Sequence, residues 1–248
     1  MIGDIIPAHN EADLLGSCLA SVLAASQHND LEDEGVQILV VLDSCTDGTE
    51  LVADRAGVNT LRIDACNVGI ARAAGAEQLL AQGARWLAFT DADSRVASDW
   101  LVRQLVLGAD VVCGSVQVDD WESHPVGLRR VWNDPYRDTD GHRHVHGANL
   151  GVSARAYQSV GGFRPLACGE DVALVNALTE AGFPVAWSAA PRVATSARRH
   201  ARARGGFGDT LANWARELTI ALDAPSGPNS FLVRKTNASD ILPCVPQS

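Results

Sequence analysis

Val36-Gln37-Ile38-Leu39-Val40-Val41-Leu42-Asp43-Ser44-Cys45-Thr46-Asp47-Gly48-Thr49 decides the fold. Val36 to Leu42 is an apolar run of the kind found in a parallel strand covered on both faces, whereas a strand with one wet face would alternate. The run ends on a carboxylate. Thr46 or Asp47 then starts a helix through Ala56, stopped by Gly57. The same strand–turn–helix unit recurs on either side. Ile5-Ile6 opens a short strand that stops at Pro7, and Asn10 caps a helix with Ala12, Leu15, Leu19, Val22 and Leu23 on one face. Val58 to Ile63 is a third strand, Ile70 to Gln82 a helix ended by Gly83, and Trp86 to Phe89 a fourth strand. Ser98 caps a helix through Leu107, and Asp110 to Val118 returns as a strand. This alternation predicts an α/β fold with a doubly wound, mostly parallel sheet. Such sheets bind ligands at the carboxyl ends of their strands.

Beyond residue 118 the pattern loosens. Residues 119–146 hold two tryptophans, four histidines and two prolines without clear periodicity. Gly147 to Val152 reads as a strand, Ala154 to Val160 as a short helix, Glu170 to Ala181 as a good helix, and Pro184 to Ser188 as a strand. Phe207 to Leu222 reads as a last helix, and 223–248 as a loose tail rich in Pro, Ser and Asn. The boundaries are therefore a regular half, 1–118, a less regular second half of the same domain, 119–222, and the tail.

The chain has 248 residues, one ordinary domain or a domain with a short subdomain. Hydrophobic residues make up 46% and charged residues 20%, too apolar for disorder. The net charge of −10 argues against a nucleic-acid partner, because affinity for a phosphate backbone needs a basic surface. No stretch approaches the roughly 18–20 apolar residues of a membrane span. Met1-Ile2-Gly3-Asp4 lacks the start of a signal peptide, so a cytoplasmic location is expected. Cys18, Cys45, Cys66, Cys113, Cys168 and Cys244 are scattered without a C-x-x-C pair and read most simply as free thiols.

Three strand ends carry chemistry. Thr90-Asp91-Ala92-Asp93-Ser94 follows the fourth strand. Two carboxylates two residues apart there can share one hard cation, magnesium or manganese, which keeps coordination sites open for substrate phosphates. A solvated turn is the plainer alternative. Pro7-Ala8-His9-Asn10-Glu11 follows the first strand, where a dinucleotide enzyme would show G-x-G-x-x-G; neither that motif nor a phosphate-loop G-x-x-x-x-G-K-[ST] occurs in the chain. Asp43 can accept hydrogen bonds from a base edge or a ribose, while Asp47 and Thr49 fix the turn and the helix start.

Together these residues resemble the family 2 glycosyltransferases, nucleotide-sugar enzymes of GT-A fold. Ile5-Ile6-Pro7-Ala8-His9-Asn10-Glu11 is similar to the family's opening strand and P-x-x-N-E turn, and Asp43-Ser44 with Asp47-Gly48-Thr49 to its D-x-S-x-D-G-T segment. Asn67-Val68-Gly69 with Arg72 and Gly75 is similar to its N-x-G segment, and Asp91-Ala92-Asp93 to its D-x-D metal motif. Gly147-Ala148-Asn149, then Arg155 and Gly161-Gly162-Phe163, resembles the acceptor-side strand and turn, and Glu170-Asp171 the E-D pair at a helix start. The resemblance spans residues 2–220. It implies that 1–118 binds the nucleotide sugar and 119–222 the acceptor.

The roles it implies are these. Pro7, Ala8, Glu11 and Asp43 line the nucleoside pocket, and Arg72 faces the nucleotide or its phosphates. Asp91 lies near the ribose or the water shell of the metal, and Asp93 ligates Mn²⁺ or Mg²⁺. Asp171 is the general base for the acceptor hydroxyl, with Glu170 as the alternative. Gly147, Asn149 and Trp132 belong to the acceptor and sugar side. The reaction implied is a single inverting displacement from a nucleoside diphosphate sugar to a small-molecule or carrier-linked acceptor. Processive relatives carry Q-x-x-R-W and membrane helices; this chain has neither, so one transfer per encounter is expected.

Other features stay open. His142, His144 and His146 would share one face of a strand, which suggests either zinc or an acceptor-side loop. His200 is a candidate further metal ligand. Around it, Arg198, Arg199, Arg202 and Arg204 form the dense basic cluster of the chain, either a solvated loop or a lid in which Arg199 and Arg202 grip the diphosphate, with Gly205, Gly206 and Gly208 as hinges. The competing functions are a catalytically inactive nucleotide-sugar-binding module and a sugar-1-phosphate nucleotidyltransferase. The latter needs a glycine-rich basic loop after the first strand, which Pro7 to Glu11 does not provide.

Overall fold

The structure, a computed structural model, describes residues 1–32, 34–118, 121, 136 and 138–196. Its strands are β1 (Ile2–Ala8), β2 (Val36–Asp43), β3 (Asn59–Ile63), β4 (Trp86–Phe89), β5 (Ser94–Val96), β6 (Val111–Val118), β7 (Leu150–Ser153) and β8 (Val185–Thr195). Its helices are α1 (Leu15–Ser26), α2 (Thr49–Ala56), α3 (Val68–Ala81), α4 (Trp100–Val106), α5 (Ala154–Ser159) and α6 (Glu170–Glu180), with 3₁₀ turns at Asn29–Leu31 and Gly147–Asn149. One sheet holds all eight strands in the order β3-β2-β1-β4-β7-β6-β8-β5. Neighbours are parallel from β3 to β4 and between β6 and β8; β7 is antiparallel to both β4 and β6, and β5 to β8. Four of the seven ladders are parallel, as the apolar run of β2 requires.

Alternation along β1 explains the two layers. Ile2, Ile6 and Ala8 pack with α1 and α4 residues Leu15, Leu19, Val22, Trp100 and Leu101 on one face. Ile5 packs with Leu79, Tyr157, Leu174 and Leu178 of α3, α5 and α6 on the other. Each fully buried side chain of this size contributes about 1.5–3 kcal/mol. Gly75 lets α3 approach the sheet: a Cβ there would come within 2.6 Å of Ile5 and 2.9 Å of Val41. Asp4 breaks the apolar pattern. It lies between Ile2 and Ile6, is fully buried, and neither carboxylate oxygen has a partner among the described residues. Burial pushes its pKa up to about 8.

Several boundaries differ from the sequence reading. β1 continues through Pro7, because its ladder to β4 ends at Ile5–Phe89 and the missing Pro7 N–H faces the side that β4 has left. Asn10 does not cap α1: it takes a left-handed conformation (φ 55°), and α1 begins only at Leu15. Val68 opens α3 two residues before Ile70, with the Asn67 side chain accepting from the Ile70 N–H at 2.9 Å. Gly147–Asn149 is a 3₁₀ turn rather than strand, which shortens β7. β8 runs on past Ser188 to Thr195, because a shift in register between Gly114 and Val116 accommodates Pro191. The three-residue β5 was not anticipated at all. Cys18, Cys45, Cys66 and Cys113 are free thiols, but Cys168 is disulfide-bonded, against expectation. Among the described residues no helix is long and apolar enough to cross a membrane. The expected last helix and tail lie outside the described residues.

Candidate active site

The loops that follow β1, β2, β3 and β4 meet at the carboxyl edge of the sheet. Side chains stitch the first three together. Asn10 Oδ1 accepts from the Thr46 N–H at 2.7 Å, Thr49 Oγ1 from the Glu11 N–H at 2.7 Å, and Asp47 Oδ2 from the Ala12 N–H at 3.2 Å. His9 bridges its ring Nδ1 to the carbonyl of Asp43 at 2.7 Å. Pro7, Ala8 and Glu11 therefore sit beside the β2 turn, as a pocket built from both segments needs.

Asp43 has a structural task. Its Oδ1 accepts from the N–H groups of Ala65 and Cys66, both at 2.8 Å, and from Ser44 Oγ at 3.0 Å; its Oδ2 accepts from the Asn67 N–H at 2.7 Å. Burial works to raise its pKa, but the backbone N–H groups outweigh it and hold the carboxyl below the usual range. Sequence reasoning missed this clamp: the N-x-G segment marks Asn67, but nothing in it ties its backbone to Asp43. Oδ2 retains acceptor capacity for a further donor.

Arg72 is the centre of the site. Its guanidinium pairs through Nη1 with Glu170 Oε1 and through Nη2 with Asp91 Oδ1, the latter at 2.6 Å. The residue is 3% exposed. Burial opposes its charge, yet Asp91, Glu170 and Asp171 around it push its pKa above the ordinary arginine value. In this arrangement the Arg72 guanidinium faces carboxylates. Asp91 remains about a third exposed, and Asp93 is also partly exposed.

Glu170 and Asp171 open α6 and favour its N-terminus. Asp171 Oδ2 accepts from the Gly147 N–H at 2.8 Å and Oδ1 from the Val172 N–H at 2.8 Å. Burial raises the Asp171 pKa against the pull of Arg72 and of these N–H groups. Gly147 also makes room for the arginine: any side chain there would collide with the guanidinium.

Asn149 is placed differently from the expectation. It is fully buried, with Oδ1 accepting from Trp100 Nε1 at 2.9 Å and Nδ2 donating to the carbonyls of Ser115 at 2.7 Å and Pro191 at 3.0 Å. An amide committed to three internal partners acts as a structural pin. The histidines do not form a metal centre; among the described residues no group of three or more His, Cys, Asp and Glu can hold one. They stack instead. Trp187 meets His142 edge-on, His142 stacks on His144 at 5.3 Å, and His144 stacks on Tyr136 at 4.2 Å. Tyr136 Oη lies 3.1 Å from His146 Nε2 and accepts from the Val116 N–H at 2.7 Å. Burial, with His144 and His142 nearby, pulls the His146 pKa down to about 3. Trp132, Arg199, Arg202 and His200 lie outside the described residues.

The site thus holds two carboxylates at a strand end, a third on a facing helix start, and a turn stitched between the first two loops. The chain resembles a crystal structure of residues 1–349 of TarS from S. aureus in complex with UDP-GlcNAc, with TM-score 0.64 and 13% identity over 91% of this chain and 68% of that one. It also resembles the mannosyltransferase PcManGT from Pyrobaculum calidifontis in complex with GDP-Man and Mn²⁺, with TM-score 0.60 and 16% identity over 92% of this chain and 66% of that one. A third similar structure is GalNAc-T7 with UDP, GalNAc and Mn²⁺, with TM-score 0.60 and 15% identity over 86% of this chain and 47% of that one. At these identities the likeness establishes the fold, and the GT-A architecture expected from the sequence is borne out. No curated protein sequence matches the chain. The family profile described as "Glycosyl transferase family 2" matches residues 5–158, more than half of the chain. Its residues reach from β1 across the Asp91–Asp93 turn to the Gly147 turn that holds Asp171, and the chain belongs to glycosyl transferase family 2, a family of nucleotide-sugar-dependent glycosyltransferases.

Proposed function

We propose that this glycosyltransferase is metal-dependent, inverting and non-processive. It moves one sugar from a nucleoside diphosphate sugar to a hydroxyl of a small-molecule or carrier-linked acceptor. The observation that carries this reading is Asp171, a partly buried carboxylate of raised pKa, oriented by the Gly147 and Val172 N–H groups and linked through Arg72 to the Asp91–Asp93 turn. Asp171 takes the proton of the acceptor hydroxyl as the acceptor oxygen attacks the anomeric carbon. The bond to the diphosphate breaks on the opposite face, so the configuration inverts.

Asp91 and Asp93 are the residues that would hold a divalent cation. Oδ2 of Asp91 lies outside the pairing with Arg72, and no third ligand of the His, Cys, Asp or Glu kind joins them among the described residues. Two carboxylates suit Mg²⁺ or Mn²⁺, which draw their other ligands from substrate phosphate and water. Such an ion supplies charge neutralisation of the departing diphosphate. Pro7, Ala8, Glu11 and Asp43 hold the nucleoside.

A melting-temperature screen of nucleoside diphosphates with Mn²⁺, Mg²⁺ or EDTA tests the donor side, since ligands of the native state raise the midpoint. One nucleotide should raise it, and EDTA should remove the gain. Asp171→Asn should lower kcat by roughly 10²–10⁴-fold while the nucleotide-induced gain persists. Surviving turnover would show that Asp171 is not the base. A nucleotide gain without any turnover in the unaltered chain would leave a binding module.

A further inference from the structure

We infer that Arg72 is a positioning residue: its guanidinium locks the Asp91 carboxylate and the start of α6 into one unit, so that the donor and base sides of the site are set relative to each other. This rests on the reading of the site as a glycosyl-transfer centre. Four separate pieces of chain converge on this side chain. It comes from the N-terminal part of α3, holds Asp91 after β4 and Glu170 at the head of α6, and lies against the bare backbone of Gly147. The Gly147 N–H in turn fixes Asp171 Oδ2. Phe163 covers the guanidinium at 5.8 Å.

An arginine that grips a diphosphate must offer the open side of its fork. Here each terminal nitrogen is already paired with a carboxylate, and the remaining Nε is buried with no partner among the described residues. Leaving for a phosphate would strand Glu170, itself 4% exposed, without its cation. A planar fork with five donors spans two carboxylates, whereas a lysine ammonium is a single point. Gly147 belongs to the same device. A methyl group there displaces the guanidinium without altering any charge, so Gly147→Ala and Arg72→Lys should fail in the same way.

The test uses the full chain and the nucleotide selected by the melting screen, with its sugar donor. Arg72→Lys, Gly147→Ala, Glu170→Gln and the Arg72→Lys/Glu170→Gln double variant are compared with the unaltered enzyme. Displacement of reacting groups by about 1 Å costs about 10²-fold, so kcat should fall by about that factor in Arg72→Lys and Gly147→Ala. Donor KM should stay within about threefold, and the nucleotide-induced melting gain should persist. The double variant should lose no more than its worse single parent, because both act through one contact. Added guanidinium, and not ammonium, should restore part of the activity of Arg72→Ala. A donor KM raised about tenfold or more with kcat intact would make Arg72 a phosphate ligand and overturn the inference, as would additive losses in the double variant. Should Arg72→Lys fail to fold, Gly147→Ala decides by the same split between kcat and KM. Should the unaltered chain show no turnover, the transfer reading fails by itself. The nucleotide-induced gain of Arg72→Lys then decides alone: kept, it supports a residue that does not bind the diphosphate; lost, it overturns the inference.

Discussion

Asp4 shows what one residue can cost. A carboxyl in the middle of a central strand has no partner among the described residues and keeps its proton up to a pKa of about 8. The unfolded chain releases that proton near the ordinary aspartate value of 3.8. The sign follows from this difference. Below about pH 4 both states are protonated and Asp4 carries no pH-dependent penalty. Between that and pH 8 the unfolded state gains by ionising while the folded state cannot, so the penalty grows; above pH 8 it levels off. At pH 7 it amounts to a few kcal/mol, on the order of 1.4 kcal/mol per unit of pKa. Asp4→Asn should therefore raise the melting temperature by an amount that increases from pH 5 to pH 8 and vanishes towards pH 4. A gain independent of pH would mean that Asp4 is not protonated in the folded protein. Asp4 carries no warning in the sequence, which opens the first strand only at Ile5, whereas the observed strand starts at Ile2. Asp43 was read as a ligand for the nucleoside; its clamp on residues 65–67 is made through backbone N–H groups, which no side-chain motif announces.

Elements follow the sequence where periodicity is strong and depart from it where a side chain works at a distance. The apolar run of β2 and the faces of α1, α3 and α6 are legible because burial enforces a period. Asn10 looked like a cap and is a stitch to Thr46: it lies in a turn ahead of α1, and its side chain accepts from a backbone donor across the site. β5 was invisible because three residues offer no pattern; its pairing with the far end of β8 makes it a strand. Asn149 belongs to this scale. It ties α4 through Trp100, β6 through Ser115 and β8 through Pro191. Asn149→Ala would leave a buried indole N–H and two carbonyls without this partner, and should lower stability to urea by at least about 3 kcal/mol, at about 1–3 kcal/mol for each stranded group. An unchanged urea midpoint with a raised acceptor KM would instead place Asn149 on the acceptor.

On the scale of the whole molecule, the sequence announced a doubly wound sheet and pointed to its carboxyl edge, because strand ends are where such sheets carry chemistry. What it concealed was the use of that edge. A linear motif names Arg72 without showing that Glu170, 98 positions later, returns to meet it. The histidines suggested zinc because spacing on a strand is easily read, while a stacked column with Tyr136 and Trp187 is a property of folding. The carboxyl edge has one more consequence. The N–H groups of Glu11, Ala12, Thr46, Ala65, Cys66, Asn67 and Gly147 all lie in loops or turns, and each is held by a side-chain acceptor. Loop protons of that kind exchange with deuterium only when the acceptor lets go. The mouth of the site should therefore exchange as slowly as strand ends do, and an Asp43→Asn variant should release Ala65, Cys66 and Asn67 together. In heavy water the loops that surround the substrate would keep time with the sheet beneath them.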